Sequence, residues 1–353
     1  MWSVHLTLGQ NAVKEDYLYA QALCEHYGFS VVSSDRERGS RTEADYMSQC
    51  DVVLANMRKS LIGEPDFHVI YELGIGFAKE KRLYGFMPDS RDYIHRWPFG
   101  HFGEDGTIQD QYELAYSTAL TIGNLMYSVP TKIVEGDLAL CVKTLWYDQI
   151  EALKERGQRI TPLKDLRYSC RRKPGDPHLA YLAGYECFNS SRTTIGESMV
   201  HLCRKNGFDA DYPTSPVNGL RKLDFADLMN PLVGIAASFD HDQYKVQCSD
   251  ITIANVNPYH GLLPDSGTVF ELGMAVGLGQ LCVVYYHGSK DVLQERMLRP
   301  HGWLTDRRKY NPAQYEQILR ALFRRDTAYV RGEFSDAVHY VKRKLNKNKE
   351  KTE

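Results

Sequence analysis

The 353-residue sequence lacks the marks of several large functional classes. It has almost no charge imbalance, with 43 basic side chains against 45 acidic ones and a net charge of −2. That balance leaves no electrostatic footprint for polymeric nucleic acid and no basic stripe for a membrane surface. No apolar run approaches the length of a membrane span, and the opening "MWSVHLTLGQ" has no basic segment leading into an apolar one. The eight cysteines are scattered, without a CxxC pair or metal-ligand spacing. They read as small buried thiols in a reducing, cytoplasmic setting. There is no phosphate-binding loop, dinucleotide fingerprint or metal motif, so neither a cofactor nor a metal is expected. The basic end "VKRKLNKNKEKTE" reads as a solvated helix end fraying into a tail.

What the sequence does contain is a repeat. "CDVVLANMRKSLIGEPDFHVIYELGIGF" begins at Cys50, and "SDITIANVNPYHGLLPDSGTVFELGMAV" begins at Ser249. Asp51 matches Asp250, Asn56 matches Asn255, Asp66 matches Asp265 and Glu72 matches Glu271, all at one constant offset. "VHLTLG" (4–9) resembles "LAYLAG" (179–184), and "KIVEGDLALCVKTL" resembles "AYVRGEFSDAVHYV". The chain is long for one core, so two diverged copies of one fold is the economical reading. In the second copy, strand-like runs at 179–184, 251–256, 281–286 and 327–332 alternate with helical periods at 193–207, 267–279, 315–325 and 335–345. Apolar strands alternating with helices predict an α/β fold. The expectation is two tandem copies of a doubly wound, mainly parallel five-stranded sheet flanked by helices and packed as a pseudo-dimer. The expected division is 1–152, a polar linker at 153–176, and 177–353.

The acids draw the eye next. In an open α/β sheet, ligands bind beyond the carboxyl ends of the strands. That places the loop after "ITIANV", and Asp265 at the start of the next helix, along the crevice. Gly267 lets the backbone approach a ligand, having no Cβ. Asp265 is also an ordinary N-cap before Ser-Gly-Thr, so cap and ligand both stand as readings. Glu271 is flanked by Val269, Phe270, Leu272 and Met274, an odd setting for a carboxylate. Asp242 sits on a helix feeding the strand, with Glu43 in the matching place of copy one.

"YLAG" followed by Phe188, then "SDITIANVNPYHG", then "PDSGTVFELG" resembles the nucleoside 2-deoxyribosyltransferase family in order and spacing. The resemblance covers most of 177–345, and is fainter over 1–150. It implies that Glu271 is a nucleophile attacking C1′ of a 2′-deoxynucleoside to form a covalent ester. A carboxylate suits an oxocarbenium-like transition state. It implies that Asp242 handles the proton on the base, that Asp265 contacts the sugar hydroxyls and that Tyr181 positions the nucleophile. Gly184 gives the sugar room, and Phe188, Asn255, Gly267 and Thr268 complete the substrate-binding set. Asp265 in place of a serine argues for free nucleosides, since a carboxylate repels a 5′-phosphate.

Copy one departs from this pattern. His68 replaces Gly267, Val69 replaces Thr268, and Leu6 is expected where Tyr181 stands, which makes Asp66 and Glu72 relics. Yet "TIGNLMYSVP" resembles the family segment whose asparagine reaches a neighbouring subunit's site. Asn124 is therefore expected to complete the Glu271 site, with a helix cap as the plainer reading. The implied partners are a 2′-deoxynucleoside and a free purine or pyrimidine base. Further association of such pseudo-dimeric chains is left open. The rival functions are an N-glycosidase using the same nucleophile and a non-catalytic nucleoside sensor.

Overall fold

The structure is a computed structural model of the chain. It describes residues 2–32, 43–58, 65–91, 101–102, 108–109, 115–116, 123–155, 176–188, 191–213, 231–259, 263–287, 311–323 and 327–349. All but the ends of the expected linker at 153–176 lies outside the described residues.

The first copy runs β1 (Ser3–Thr7), α1 (Lys14–His26), β2 (Ser30–Val32), α2 (Glu43–Ser48), β3 (Val52–Asn56), α3 (Phe67–Ala78) and β4 (Arg82–Met87). Three two-residue strands follow, β5 (His101–Phe102), β6 (Ile108–Gln109) and β7 (Ala115–Tyr116), paired antiparallel. Then come α4 (Leu125–Ser128), β8 (Thr131–Glu135) and α5 (Leu138–Glu155). The second copy runs β9 (Leu179–Ala183), α6 (Arg192–Lys205), β10 (Asp209–Asp211), α7 (Pro231–Cys248), β11 (Ile251–Asn255) and α8 (Ser266–Leu278). It ends with β12 (Leu281–Tyr286), α9 (Pro312–Phe323), β13 (Thr327–Arg331) and α10 (Phe334–Lys349).

The two main sheets have five strands each, in the orders β2-β1-β3-β4-β8 and β10-β9-β11-β12-β13, and every pairing in them is parallel. Parallel neighbours require crossover helices, which is why short apolar strands alternate with longer amphipathic segments. β10 reads Asp-Ala-Asp and has no apolar run of its own. It forms because its backbone adds to the edge of β9.

Three apolar cores follow from this arrangement. One lies under α1 and α5 of the first copy, and one under α6 and α10 of the second. The largest lies between the sheets and mixes both copies, joining Tyr71 and Met126 to Phe270, Met274 and Tyr181. Helices α3 and α8 cross at its centre. A Cβ on Gly74 would lie 2.2 Å from the Phe270 carbonyl oxygen, and one on Gly273 would lie 2.2 Å from that of Tyr71. Phe270 and Tyr71 are themselves matched positions of the repeat, so the contact is a pseudo-twofold with glycine at its axis. Residues 266–277 of α8 are all buried, as expected for a helix that is apolar on every side.

Cys24, Cys50, Cys141, Cys203 and Cys282 are buried free thiols and Cys187 a half-buried one. Cys248 is disulfide-bonded, a departure from the free thiol expected there. Among the described residues no helix is long and apolar enough to cross a membrane.

Candidate active site

α8 begins at Asp265, whose Oδ2 accepts from the Thr268 amide at 2.7 Å and from its hydroxyl at 2.9 Å. The cap reading of Asp265 is therefore correct as far as it goes, and it fixes the carboxylate at the mouth of the helix. More than one turn further on, Glu271 is only 4% exposed. β9 lies alongside and presents Tyr181, fully buried, whose hydroxyl donates to Oε1 of Glu271 at 2.6 Å. A buried carboxylate with a single short donor is held in one orientation.

Asn124 comes from the other copy. Its Oδ1 accepts from the Met126 amide at 2.9 Å, so it caps α4. Its side chain also reaches across the interface. A Cβ on Gly267 would lie 2.7 Å from Asn124 Nδ2 and 3.1 Å from Asp265 Oδ2. Cap and reach across the interface coexist in one side chain, and the gap left by glycine is where the two copies meet.

Asp242 lies on α7, its side chain 17% exposed and 3.8 Å from Nδ1 of His241. Burial first, then the charge of Asp242, push the Glu271 carboxyl well above its ordinary value. Burial likewise raises Asp242 and Asp265. The Tyr181 hydrogen bond favours an ionised Glu271, but desolvation and the neighbouring acid outweigh it. The pair therefore holds a proton more tightly than isolated carboxyls would.

The turn at Tyr185–Phe188 borders the same acids. Burial raises the Cys187 thiol, and so do the charges of Asp265, Glu271 and Asp242. Phe188 and Tyr185 both stack on Tyr259, with ring centroids 5.6 Å and 5.3 Å apart. A Cβ on Gly184 would lie 2.1 Å from Glu186 Oε2. Asn255, 1% exposed, is taken up by its neighbours. It donates to Glu186 Oε1 at 2.5 Å and accepts from the amide and side chain of Asn257. Glu186 and Tyr259 went unmarked in the sequence, where nothing distinguishes them from loop residues. Among the described residues no group of His, Cys, Asp and Glu is placed to hold a metal ion.

Copy one corrects the strand alignment. Ser3 N donates to Asp51 as Leu179 N does to Asp250, and Val4 pairs with Val52 where Ala180 pairs with Ile251. His5, not Leu6, therefore stands where Tyr181 stands. Matching the glycines of "VHLTLG" and "LAYLAG" had slipped the register by one residue, and such a slip turns every side chain to the other face. His5 Nε2 lies 3.3 Å from Oε2 of Glu72, and His68 Nε2 lies 3.2 Å from Oε1. Burial would raise the Glu72 carboxyl, but the two imidazoles together outweigh it and hold the group well below the usual range. Both carboxylate oxygens of Glu72 are thus covered. At the place matching Asn124, copy two has Arg320, 56% exposed and paired with Glu316. The Arg320 guanidinium also lies over the Tyr329 ring, 4.5 Å from its centroid.

Residues 180–322 match the family model described as nucleoside 2-deoxyribosyltransferase. Among solved structures, a 2-desoxiribosyltransferase from Leishmania mexicana aligns at 17% identity over 42% of this chain and 98% of its own, with a TM-score of 0.33. A conserved protein from Enterococcus faecalis V583 aligns at 18% identity over 48% and 99%, with a TM-score of 0.31. No curated protein matches the chain. The stretch 180–322, which is similar to the nucleoside 2-deoxyribosyltransferase family, carries Tyr181, Asp242, Asp265 and Glu271.

Proposed function

We propose that the chain exchanges the base of 2′-deoxynucleosides at a single site built on copy two and completed by copy one. The observation that carries this reading is Glu271, a buried carboxylate aimed by Tyr181 on the helix whose Gly267 meets Asn124 of copy one.

In the first half-reaction, Asp242 gives its proton to the base as the C1′–N bond breaks. A Glu271 oxygen forms a C1′–O bond, leaving a deoxyribosyl ester and a neutral free base. In the second half, a nitrogen of another base attacks C1′, the ester C–O bond breaks, and Asp242 takes the proton released. Glu271 leaves as the carboxylate it was. Asp265 and Asn124 bind the sugar hydroxyls, and Gly184, Gly267 and Thr268 shape the pocket around them. Phe188, stacked on Tyr259, offers an aromatic face to the base. The carboxylate of Asp265 disfavours a 5′-phosphate, which points to free nucleosides.

The test is a panel of deoxynucleosides, monophosphates and acceptor bases, separated by chromatography, with Glu271→Ala as control. Exchange products that vanish in the variant support the reading. Free base and free sugar at saturating acceptor would instead make the protein an N-glycosidase. Binding without turnover would make it a sensor.

A further inference from the structure

Lys245 is a buried cation that the chemistry above does not use. It lies three residues from Asp242 on α7, hence on the same helix face. It is 2% exposed, and its Nζ donates to the carbonyl oxygens of Tyr212 and Pro213, both at 2.7 Å. Those bonds tie α7 to the end of β10 and fix where the ammonium stands. Acids face it from three elements: Asp211 on β10, Asp242 on its own helix and Glu271 on α8. Beyond them, His241 and Asp209 act on Asp211, and Asp265 and Tyr181 act on Glu271.

Copy one serves as an internal control. By strand register and repeat offset, Val32 stands in place of Asp211 and Tyr46 in place of Lys245. There the buried glutamate has two imidazoles against it instead. The tethered lysine accompanies only the copy whose glutamate carries no histidine.

The chemistry needs two carboxyls in opposite states, with Glu271 ionised and Asp242 protonated. Burial pushes both toward the protonated form and the Asp242 charge adds to this at Glu271; Lys245 opposes it at both acids, beside His241 at Asp242 and Tyr181 at Glu271. Histidines in contact, as at Glu72, would do so only by covering the oxygens that must react. We propose that Lys245 is a positioning residue of the Glu271 site, whose anchored ammonium lets the buried Asp242–Glu271 pair carry one negative charge. Tyr181 favours placing that charge on Glu271, since its hydroxyl donates there. Burial also lowers the ammonium itself to about 8, so the arrangement fails on the alkaline side of that value.

This inference rests on the transferase reading, and its test separates the two. Lys245→Met and Lys245→Arg are compared with wild type by titrating carbon-13-labelled carboxylates, with Glu271→Gln and Asp242→Asn to identify signals. Base-exchange rates are followed across the same pH range. In Lys245→Met the pair should bind its proton about tenfold more tightly, a shift of about one pH unit. The acidic limb of kcat should move with it while KM stays near wild type. Lys245→Arg should restore the wild-type titration and lose the alkaline limb near pH 8, because arginine keeps its charge. Carboxylate titration unmoved in folded Lys245→Met would overturn the inference. Should that variant not fold, an alkaline limb persisting in Lys245→Arg would overturn it instead. A titration that moves as expected in a protein without exchange activity upholds Lys245 and removes the transferase reading.

Discussion

Glu72 and Glu271 occupy the same place in two copies of one fold, each on the helix that follows the central strand and each within a few residues of the glycine crossing between α3 and α8. Their surroundings differ in kind. Glu72 has an imidazole on each oxygen and a carboxyl held well below its usual range. Glu271 has one tyrosine donor, acidic neighbours and a carboxyl pushed well above it. The first is a charge compensated at both oxygens that stabilises the fold, and the second is one that burial and acidic neighbours outweigh despite Tyr181 and Lys245, kept at the expense of stability. Strain of this kind at one copy and relief at the other is what a division of labour after duplication looks like in side-chain chemistry.

The comparison can be broken most sharply at the two glutamates. Glu271→Gln should lower base exchange on the order of 10⁴-fold, while Glu72→Gln leaves the exchange rate of the folded protein close to wild type. Equal losses in the two variants would end the claim of a single working site. Writing copy one into copy two comes next. Gly267→His puts an imidazole against Asn124 and Asp265, and should reduce kcat/KM on the order of 10³-fold in a protein with a normal circular dichroism spectrum.

Asn124→Ala should cost about 10²-fold in kcat/KM, whereas Arg320→Ala at the matching place should alter neither rate nor melting by a measurable amount. A rate unchanged by Asn124→Ala would separate the interface from the chemistry.

The smallest expected effects are on stability, and their signs are opposite. The folded pKa of Glu72 is depressed, so its contribution is present above the unfolded value and fades as pH falls toward the folded one. Glu72→Gln should therefore lower the Tm by about 2–4 °C at pH 7, with the gap closing in acid. The folded pKa of Glu271 is raised, so ionising it opposes folding as pH rises through that value. Glu271→Gln should raise the Tm at pH 8 by a similar amount, about 2–4 °C, and do little at pH 5. Melting curves that shift in the same direction for both variants would show that the two carboxylates do not differ as described.

Much of this molecule was legible in one dimension. The repeat, the strands at 251–256 and 281–286 and the capped helix at Asp265 all come from local pattern, because apolar runs and cap chemistry act within a few residues. The constant offset tied Glu72 to Glu271 without any coordinates. Where local signal was weak, the reading went astray. β10 has no apolar run, and the short strand β1 could be matched to β9 in two registers, which hid His5 behind Leu6. Lys245 was one helical turn from Asp242 in plain view, but a lysine on a helix is usually solvated, and only burial makes it a partner of the acids.

The sequence by itself determined the two parallel sheets, the matched carboxylates and the glycine that sets Gly267 apart from His68. Those depend on periodicity and on residue identity. Tertiary structure alone decided which neighbours each carboxylate meets. Glycines at the crossing of α3 and α8 let the copies approach closely, and Asn124 then reaches Gly267 in the other half of the chain. The protonation of a buried carboxyl depends on desolvation and on charges brought together from distant segments. No local pattern encodes that sum, and it is what holds Glu72 below the usual carboxylate range and Glu271 above it.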